Sequence, residues 1–165
     1  REERSALASS AVEHRPEEVH TKGHAEQDLE KHLVKGAAKE KSLAMTALQK
    51  LPFFEEFNVD ALDALIEAME VYEFEDGDEV VHQGDTDGTH FFVVAAGEFL
   101  VLKDGKSRCT ISPSNCFGES VLLLFGERNA TVCAHGRATA YGMEGMTVRD
   151  MLQEHYQLQR TIVMQ

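Results

Sequence analysis

Short apolar runs separated by glycines fill the second half of the chain, and this pattern restricts the possible folds more than any other feature. Such punctuation is typical of antiparallel sheets that close into a sandwich, barrel or roll. The sequence predicts a jelly-roll-like antiparallel β-roll over residues 71–146. The candidate strands cover residues 71–74, 79–83, 90–95, 98–103, 108–111, 130–134 and 139–143.

Helical patterns flank the predicted roll on both sides. Residues 25–70 form the N-terminal helical segment, in which Asn58 is placed to cap a helix. The apolar positions of that helix, at spacings i, i+3, i+4 and i+7, share one face. They are Leu62, Leu65, Ile66 and Met69.

The two ends of the chain differ in character. Residues 1–24 are polar and mixed in charge, as expected of a flexible linker. Thr147 to Asp150 resembles a capping box, which predicts a closing hinge helix over residues 147–165. The predicted fold class is therefore α+β, with a β-roll between N-terminal helices and a C-terminal helix.

The distribution of charge excludes several classes of partner. The net charge is −13, and residues 1–50 contain nine basic and nine acidic side chains, so the whole excess lies in residues 51–165. Nucleic-acid binding relies on Lys and Arg, so an acidic body makes a nucleic-acid partner unfavourable.

No apolar run approaches the roughly 20 residues of a membrane span. Three cysteines without a CxxC pair favour a reducing, cytoplasmic location.

Enzyme signatures are also missing from the sequence. It has no P-loop, Rossmann fingerprint or Ser-His-Asp order. His82, His90 and His135 form no HxH pair with a downstream carboxylate, as a metal-dependent β-barrel enzyme would have. We therefore expect no catalytic residue, no metal and no cofactor in this domain.

Residues 117–132, FGESVLLLFGERNATV, hold the most distinctive chemistry of the chain. A short helical turn beginning near Gly118 would direct backbone N–H groups outward, which suits an anion. Arg128 follows in the same segment, and one guanidinium with several N–H groups matches a singly charged phosphate. Glu119 suits a neutral hydroxyl, since its carboxylate would repel a phosphate.

This segment resembles the phosphate-binding cassette of cyclic-nucleotide-binding domains, above all those of cAMP-dependent kinase regulatory subunits and cGMP-dependent kinases. The similarity extends to HQGD at 82–85, FFVVAAGE at 91–98 and AYGME at 140–144, and covers roughly residues 42–165. It implies that Arg128 pairs with the phosphate, that Glu119 accepts from the ribose 2′-hydroxyl and that the closing helix moves on binding. The implied binding residues are Phe117, Gly118, Glu119, Ser120, Val121, Arg128, Asn129 and Ala130.

The resemblance also implies a ligand and partners. The ligand is cGMP or cAMP, and the partner is a kinase catalytic domain in cis or in trans, with an adjacent cyclic-nucleotide-binding domain as a further candidate. The chain stops at Gln165, inside the predicted closing helix, so we expect a kinase or a second sensor domain to follow. No basic Arg-Arg-x-Ser/Ala inhibitor sequence precedes the domain, which favours a cGMP-dependent kinase.

Three positions depart from the family pattern. Glu127 stands where proline is frequent, and it brings a carboxylate near the anion site. Asn129 is polar where cAMP-type sites usually carry alanine; it can contact guanine, which favours cGMP, or merely shape the loop. Gly145 replaces a residue that is often basic. The alternatives are a cAMP-binding regulatory subunit or a ligand-free structural domain that acts through protein contacts.

Overall fold

The computed structural model describes residues 25–122 and 127–164, and within them the strands form one antiparallel sheet. The linker predicted for residues 1–24, positions 123–126 of the cassette and Gln165 lie outside the described residues. The central path of the sheet is β1-β6-β3-β4, while β2 also pairs with β6 and β5 with β3. The strands are β1 Glu70–Phe74, β2 Glu79–Val81, β3 His90–Lys103, β4 Lys106–Ile111, β5 Cys116–Phe117 and β6 Thr131–Glu144.

The antiparallel β-roll predicted from the sequence is thereby confirmed, but two of the predicted breaks between its strands are wrong. β3 continues through Gly97 and β6 continues through Gly136, although the sequence predicts a break between strands at each of these glycines. The β3–β6 pairing instead shifts register between Val94 and Ala96 and between Ala96 and Glu98. These glycines therefore mark irregularities inside long strands, where a bulge bends the sheet without ending it.

The helical elements lie on both sides of the sheet in the chain, as predicted. Asn58 caps the second α-helix, since its Oδ1 accepts a hydrogen bond from the N–H of Ala61 at 2.8 Å. The last helix begins at Gly145, so Thr147 lies inside its first turn and is not the cap that the sequence predicted. The α-helices are α1 Lys41–Gln49, α2 Val59–Ala68 and α3 Gly145–Met164; the 3₁₀ helices are Ala25–His32, Pro52–Phe54 and Glu119–Leu122.

β3 divides the buried apolar side chains into two clusters. Phe91 and Val93 face a cluster that contains Leu48 of α1 and Ile66 of α2. The alternate side chains of the strand point into the roll, as the two-residue period of a strand requires. The inner cluster includes Phe74, Val80, Phe92, Val94, Phe99 and Phe117. An apolar run in β3 is thus explained by burial on both faces.

The first 3₁₀ helix, Ala25–His32, is fastened to the roll. Leu29 packs into the inner cluster and is 4% exposed. Just after the helix, the N–H of Val34 donates to the carbonyl of Val71 in β1 at 2.8 Å. Leu33 also forms a bridge with Tyr72. These contacts fix the helix against β1 and β2.

Candidate functional site

A cavity of about 230 Å³ opens at the cassette and collects the predicted site residues. One wall is apolar and comes from the strands, while the other is formed by the cassette and contains its charged and polar groups. The apolar wall includes Val81, Val101, Ile111 and Val132, and the cassette wall includes Phe117, Gly118, Glu119, Ser120, Arg128, Asn129 and Ala130.

Seven of the eight binding residues named from the sequence line this cavity, and Val121 is placed elsewhere. Val121 is 6% exposed and belongs to the cluster that contains α1 and α2. Its contribution is structural, because it fixes the short 3₁₀ helix Glu119–Leu122 on the core. The apolar cavity wall was not predicted as part of the site, since its residues read as ordinary strand positions.

Gly118 occupies a position that suits only glycine. Its φ is +81°, in the left-handed region. A Cβ at this position would lie 3.0 Å from the carbonyl oxygen of His90 and 3.1 Å from Nη1 of Arg128. The cassette therefore turns sharply here and brings its backbone against the arginine side chain.

The backbone of Arg128 is held by the loop that follows β2. The N–H of Arg128 donates to the carbonyl of Asp85 at 2.9 Å, and the N–H of Gly84 donates to the carbonyl of Arg128 at 2.8 Å. Gln83 is attached in turn, because its N–H donates to Oγ1 of Thr131 at 3.0 Å. The HQGD block thus supports the arginine end of the cassette.

The guanidinium of Arg128 is 2% exposed and fully engaged in hydrogen bonds. Nη1 donates to the carbonyl of Gly118 at 3.0 Å and to Oγ of Ser120 at 3.3 Å. Nη2 donates to the carbonyl of His90 at 2.7 Å and to Oε1 of Glu26 at 2.6 Å. Nε donates to Oε2 of Glu26 at 2.9 Å. These acceptors match the five N–H groups that an arginine offers.

Glu26 is a site residue that sequence reasoning missed. Its side chain is 4% exposed, and Oε1 also accepts from the backbone N–H groups of Thr89 and His90, each at 2.9 Å. It comes from the first 3₁₀ helix, 102 positions before its arginine partner. It is one of 29 acidic residues, and no local pattern distinguishes it from the others.

The three acidic or amide side chains near the cavity have different surroundings. Glu119 is half-buried and lines the cavity beside Ser120. Asn129 is exposed at the cavity edge. Glu127 is exposed and is absent from the cavity wall formed by the described residues.

Helix α3 contacts the cassette at its 3₁₀ helix. Nη1 of Arg149 donates to the carbonyl of Val121. At the start of α3, the N–H of Gly145 donates to the carbonyl of Thr89 at 2.8 Å. A Cβ on Gly145 would meet the carbonyl oxygen of Val121 at 2.8 Å. Glycine at this position therefore permits a close approach, which a longer side chain would prevent.

Burial shifts two titratable groups close to the site. It lowers the pKa of His90 below its ordinary value of 6.5, an effect to which the Arg128 charge adds and which Glu26 opposes. Burial raises the pKa of the Cys116 thiol to about 12, and the nearby Glu119 carboxylate adds to this shift. Both groups are therefore held in their neutral forms near neutral pH.

Within residues 25–122 and 127–164, no group of three or more His, Cys, Asp or Glu side chains is arranged to hold a metal ion. In the same part of the chain, no helix combines the length and apolarity needed to cross a bilayer.

Comparison with known proteins agrees with the sequence motifs. The chain is 36% identical over 98 residues to a cGMP-dependent protein kinase from Toxoplasma gondii, covering 59% of this chain and 10% of the relative. It is 42% identical over 77 residues to a cAMP-dependent protein kinase regulatory subunit from Mucor circinelloides f. lusitanicus, covering 44% and 18% respectively. The chain thus spans less than a fifth of the length of these two relatives.

A solved structure shares the fold. The regulatory subunit of a cAMP-independent protein kinase A from Trypanosoma cruzi, bound to guanosine, superimposes with a TM-score of 0.63 at 19% identity, over 73% of this chain and 43% of that one. The family model for the cyclic nucleotide-binding domain matches residues 71–155, which is more than half of the chain. With the roll, the cassette and this match in agreement, the chain belongs to the cyclic nucleotide-binding domain family.

Proposed function

We propose that this domain binds a cyclic nucleotide, with cGMP preferred over cAMP, and relays binding to a protein kinase through helix α3. The observation that carries the proposal is the position of Arg128, which lines the cavity and donates from Nη1 to Gly118 and Ser120, two further lining residues. A buried guanidinium beside a cavity is suited to a singly charged phosphodiester.

The phosphate would bind between Arg128 and the glycine-led turn. Nη1 already donates to two cavity-lining oxygens, the carbonyl of Gly118 and Oγ of Ser120. The bond to Ser120 is the longer of the two, at 3.3 Å, so a phosphate oxygen can replace it at the smallest cost. In a chain of net charge −13, an anion site needs a basic group, and Arg128 is the only basic residue among the described residues that line the cavity.

The rest of the nucleotide would follow the chemistry of the walls. Glu119 lines the cavity and would accept a hydrogen bond from the ribose 2′-hydroxyl. The base would lie against the apolar strand wall that includes Val101 and Ile111. Asn129, exposed at the edge, can donate and accept, which suits the polar edge of guanine.

The proposed relay uses the contact between α3 and the cassette. A ligand that alters the 3₁₀ helix Glu119–Leu122 would act on Arg149, whose side chain donates to the carbonyl of Val121. Binding can shift the helix only if the nucleotide interacts differently with its two arrangements. Amide exchange of α3 should therefore differ with and without cGMP, and identical exchange would contradict the relay.

The controlled partner would be a kinase catalytic domain, in cis or in trans, with an adjacent cyclic-nucleotide-binding domain as a further candidate, and the assembly would act in the cytoplasm. Support comes from the relatives, which are named as a cGMP-dependent protein kinase and a cAMP-dependent protein kinase regulatory subunit. This domain itself would be regulatory and not catalytic.

Thermal unfolding with cGMP, with cAMP and without nucleotide tests the proposal. A ligand that binds the folded state stabilises it by mass action, by about 2.7 kcal/mol at a hundred-fold excess over Kd. We expect both nucleotides to raise Tm and cGMP to raise it more. A larger shift with cAMP would contradict the cGMP preference and leave the sensor function intact.

Calorimetric titration of Arg128→Ala tests the residue that carries the proposal. Loss of hydrogen bonds to a charged group should weaken binding by about 1.5–3 kcal/mol. Arg108→Ala is the matched control, because Arg108 is exposed on β4. Equal affinities of the two variants would remove Arg128 from the site.

A second candidate is a structural domain that has lost its ligand. The engaged state of Arg128 favours it, because Glu26 already neutralises the guanidinium and acceptors within the protein match its N–H groups. The thermal test separates the two candidates, since a ligand-free domain would show no change in Tm with either nucleotide.

A further inference from the structure

Glu26 lies outside the residues that the family model matches, yet it makes the most direct contact with Arg128. The match begins at residue 71, whereas Glu26 belongs to the 3₁₀ helix Ala25–His32. Both of its carboxylate oxygens accept from the guanidinium, at 2.9 Å from Nε and 2.6 Å from Nη2. A segment that precedes the matched residues thus supplies the partner of the arginine at the proposed phosphate site.

The carboxylate of Glu26 is fixed from two sides. Besides the guanidinium, the backbone N–H groups of Thr89 and His90 each donate to Oε1 at 2.9 Å. Its own helix is fastened by buried Leu29 and, just beyond its end, by the hydrogen bond from Val34 to β1. The partner of the guanidinium is therefore a carboxylate that is held in place by its docked segment and by backbone hydrogen bonds.

The direction of approach shows what Glu26 does. It occupies Nε and Nη2, whereas Nη1 bonds Gly118 and Ser120 of the cavity wall. Among the described residues, the wall contains Gly118 and Ser120 but not Glu26. Glu26 thus bonds Nε and Nη2 and does not belong to the described cavity lining, so it can orient Arg128 without filling the place of a ligand.

We propose that Glu26 is the positioning residue for Arg128, and that it couples docking of residues 25–34 to binding of the nucleotide phosphate. The inference rests on the proposed function, since it requires a phosphate at Arg128. A buried charge held by a partner keeps one rotamer and one orientation, which reduces the reorganisation needed on binding. Coupling between two sites is reciprocal, so the nucleotide also stabilises the docked segment.

The direct test compares Glu26→Gln with Glu30→Gln by titration with cGMP, cAMP and guanosine. Both substitutions remove one negative charge from the same 3₁₀ helix, but Glu30 is exposed. We expect Glu26→Gln to weaken both cyclic nucleotides at least about five-fold, the lower end of usual coupling between sites. Guanosine lacks the phosphate, so its affinity should stay unchanged, which a general structural defect would not allow.

Several outcomes overturn the inference. Cyclic-nucleotide affinity equal to that of Glu30→Gln means that Glu26 does not position Arg128. Tighter binding means that Glu26 competes with the phosphate, and an equal loss of guanosine means that the variant has damaged the whole cavity. If the unaltered chain binds no nucleotide, the proposed function itself fails. Titration of the unaltered chain shows this result without either variant.

Hydrogen exchange in the unaltered chain keeps the inference testable if Glu26→Gln does not fold. The amides of Thr89 and His90, which donate to Glu26, should exchange more slowly when cGMP is bound. The amide of Ala61, held by Asn58 on α2, is the internal control and should not change. Unchanged or faster exchange at Thr89 and His90 would overturn the coupling.

Discussion

Arg128 and Glu26 form a bidentate ion pair across 102 positions of sequence, with side chains only 2% and 4% exposed. The pair connects a segment outside the family match to the wall of the cassette cavity. Since both charges are removed from water, neither can lose its partner without a large cost in the free energy of unfolding.

We therefore predict that replacing only one residue of the pair strongly destabilises the protein. Arg128→Met leaves a buried carboxylate, and Glu26→Gln leaves a buried guanidinium with a weaker acceptor, at a cost of about 3–5 kcal/mol for an unpaired charge. The double variant should be more stable than the sum of the single losses implies, by on the order of 0.5–3 kcal/mol. Urea unfolding measures all four proteins, and simple additivity would show that the two side chains do not interact.

Asn129 is predicted to contribute to the choice of base. Its side chain is exposed at the cavity edge, where an amide can donate to and accept from guanine. Asn129→Ala should lower the ratio of the cAMP dissociation constant to the cGMP dissociation constant. The Tm of the protein without ligand should change little. Glu127→Ala is the control, because Glu127 is exposed in the same loop and is not part of the described cavity wall. A ratio that stays constant would leave Asn129 only a role in shaping the loop.

The fold could be predicted from the sequence where local chemistry decides it. The Asn58 cap and the apolar face of α2 follow from neighbouring residues, and both are confirmed. The breaks predicted at Gly97 and Gly136 were wrong, because a glycine at a bulge and a glycine at a strand end look alike in sequence. The distinction depends on the partner strand, which no local window contains.

The residues of the site also differ in whether neighbouring sequence or tertiary packing places them. Seven of the residues named from the segment 117–132 line the cavity, and they could be named because they lie close together in the sequence. The apolar wall depends on which strands of the roll face each other, and Glu26 depends on where a distant 3₁₀ helix docks. Both are consequences of tertiary packing, which local sequence patterns do not reveal. In the sequence, Glu26 looks like any of the other acidic residues.

Cysteine reactivity is predicted to follow burial. Burial raises the pKa of Cys116 to about 12 and also raises that of Cys133, whereas Cys109 is exposed on β4. Because the thiolate is the reactive form, a disulfide reagent near neutral pH should modify Cys109 first and the other two slowly. In urea all three should react at similar rates. Fast modification of Cys109→Ser in the folded state would contradict the buried environment of the remaining thiols.

The stability of the fold should fall on mild acidification because of His90. Burial lowers its pKa below 6.5, Arg128 adds to this shift, and Glu26, Glu144 and Glu70 oppose it. The unfolded chain then takes up a proton at a higher pH than the folded one. The contribution of His90 is fully present above pH 6.5 and is lost as the pH falls from 6.5 towards the folded pKa.

His90→Gln tests this pH dependence, because glutamine does not titrate and can still hydrogen-bond Oγ1 of Thr89, which lies 2.7 Å from Nδ1 of the histidine. Urea unfolding of both proteins from about pH 7.5 to about pH 5.5, around the ordinary histidine pKa, should give a shallower decline for the variant. The backbone groups of residue 90 that contact Glu26 and Arg128 are retained in the variant. Equal slopes for the two proteins would mean that protonation of His90 does not limit stability, and that the acid sensitivity arises from the carboxylates instead.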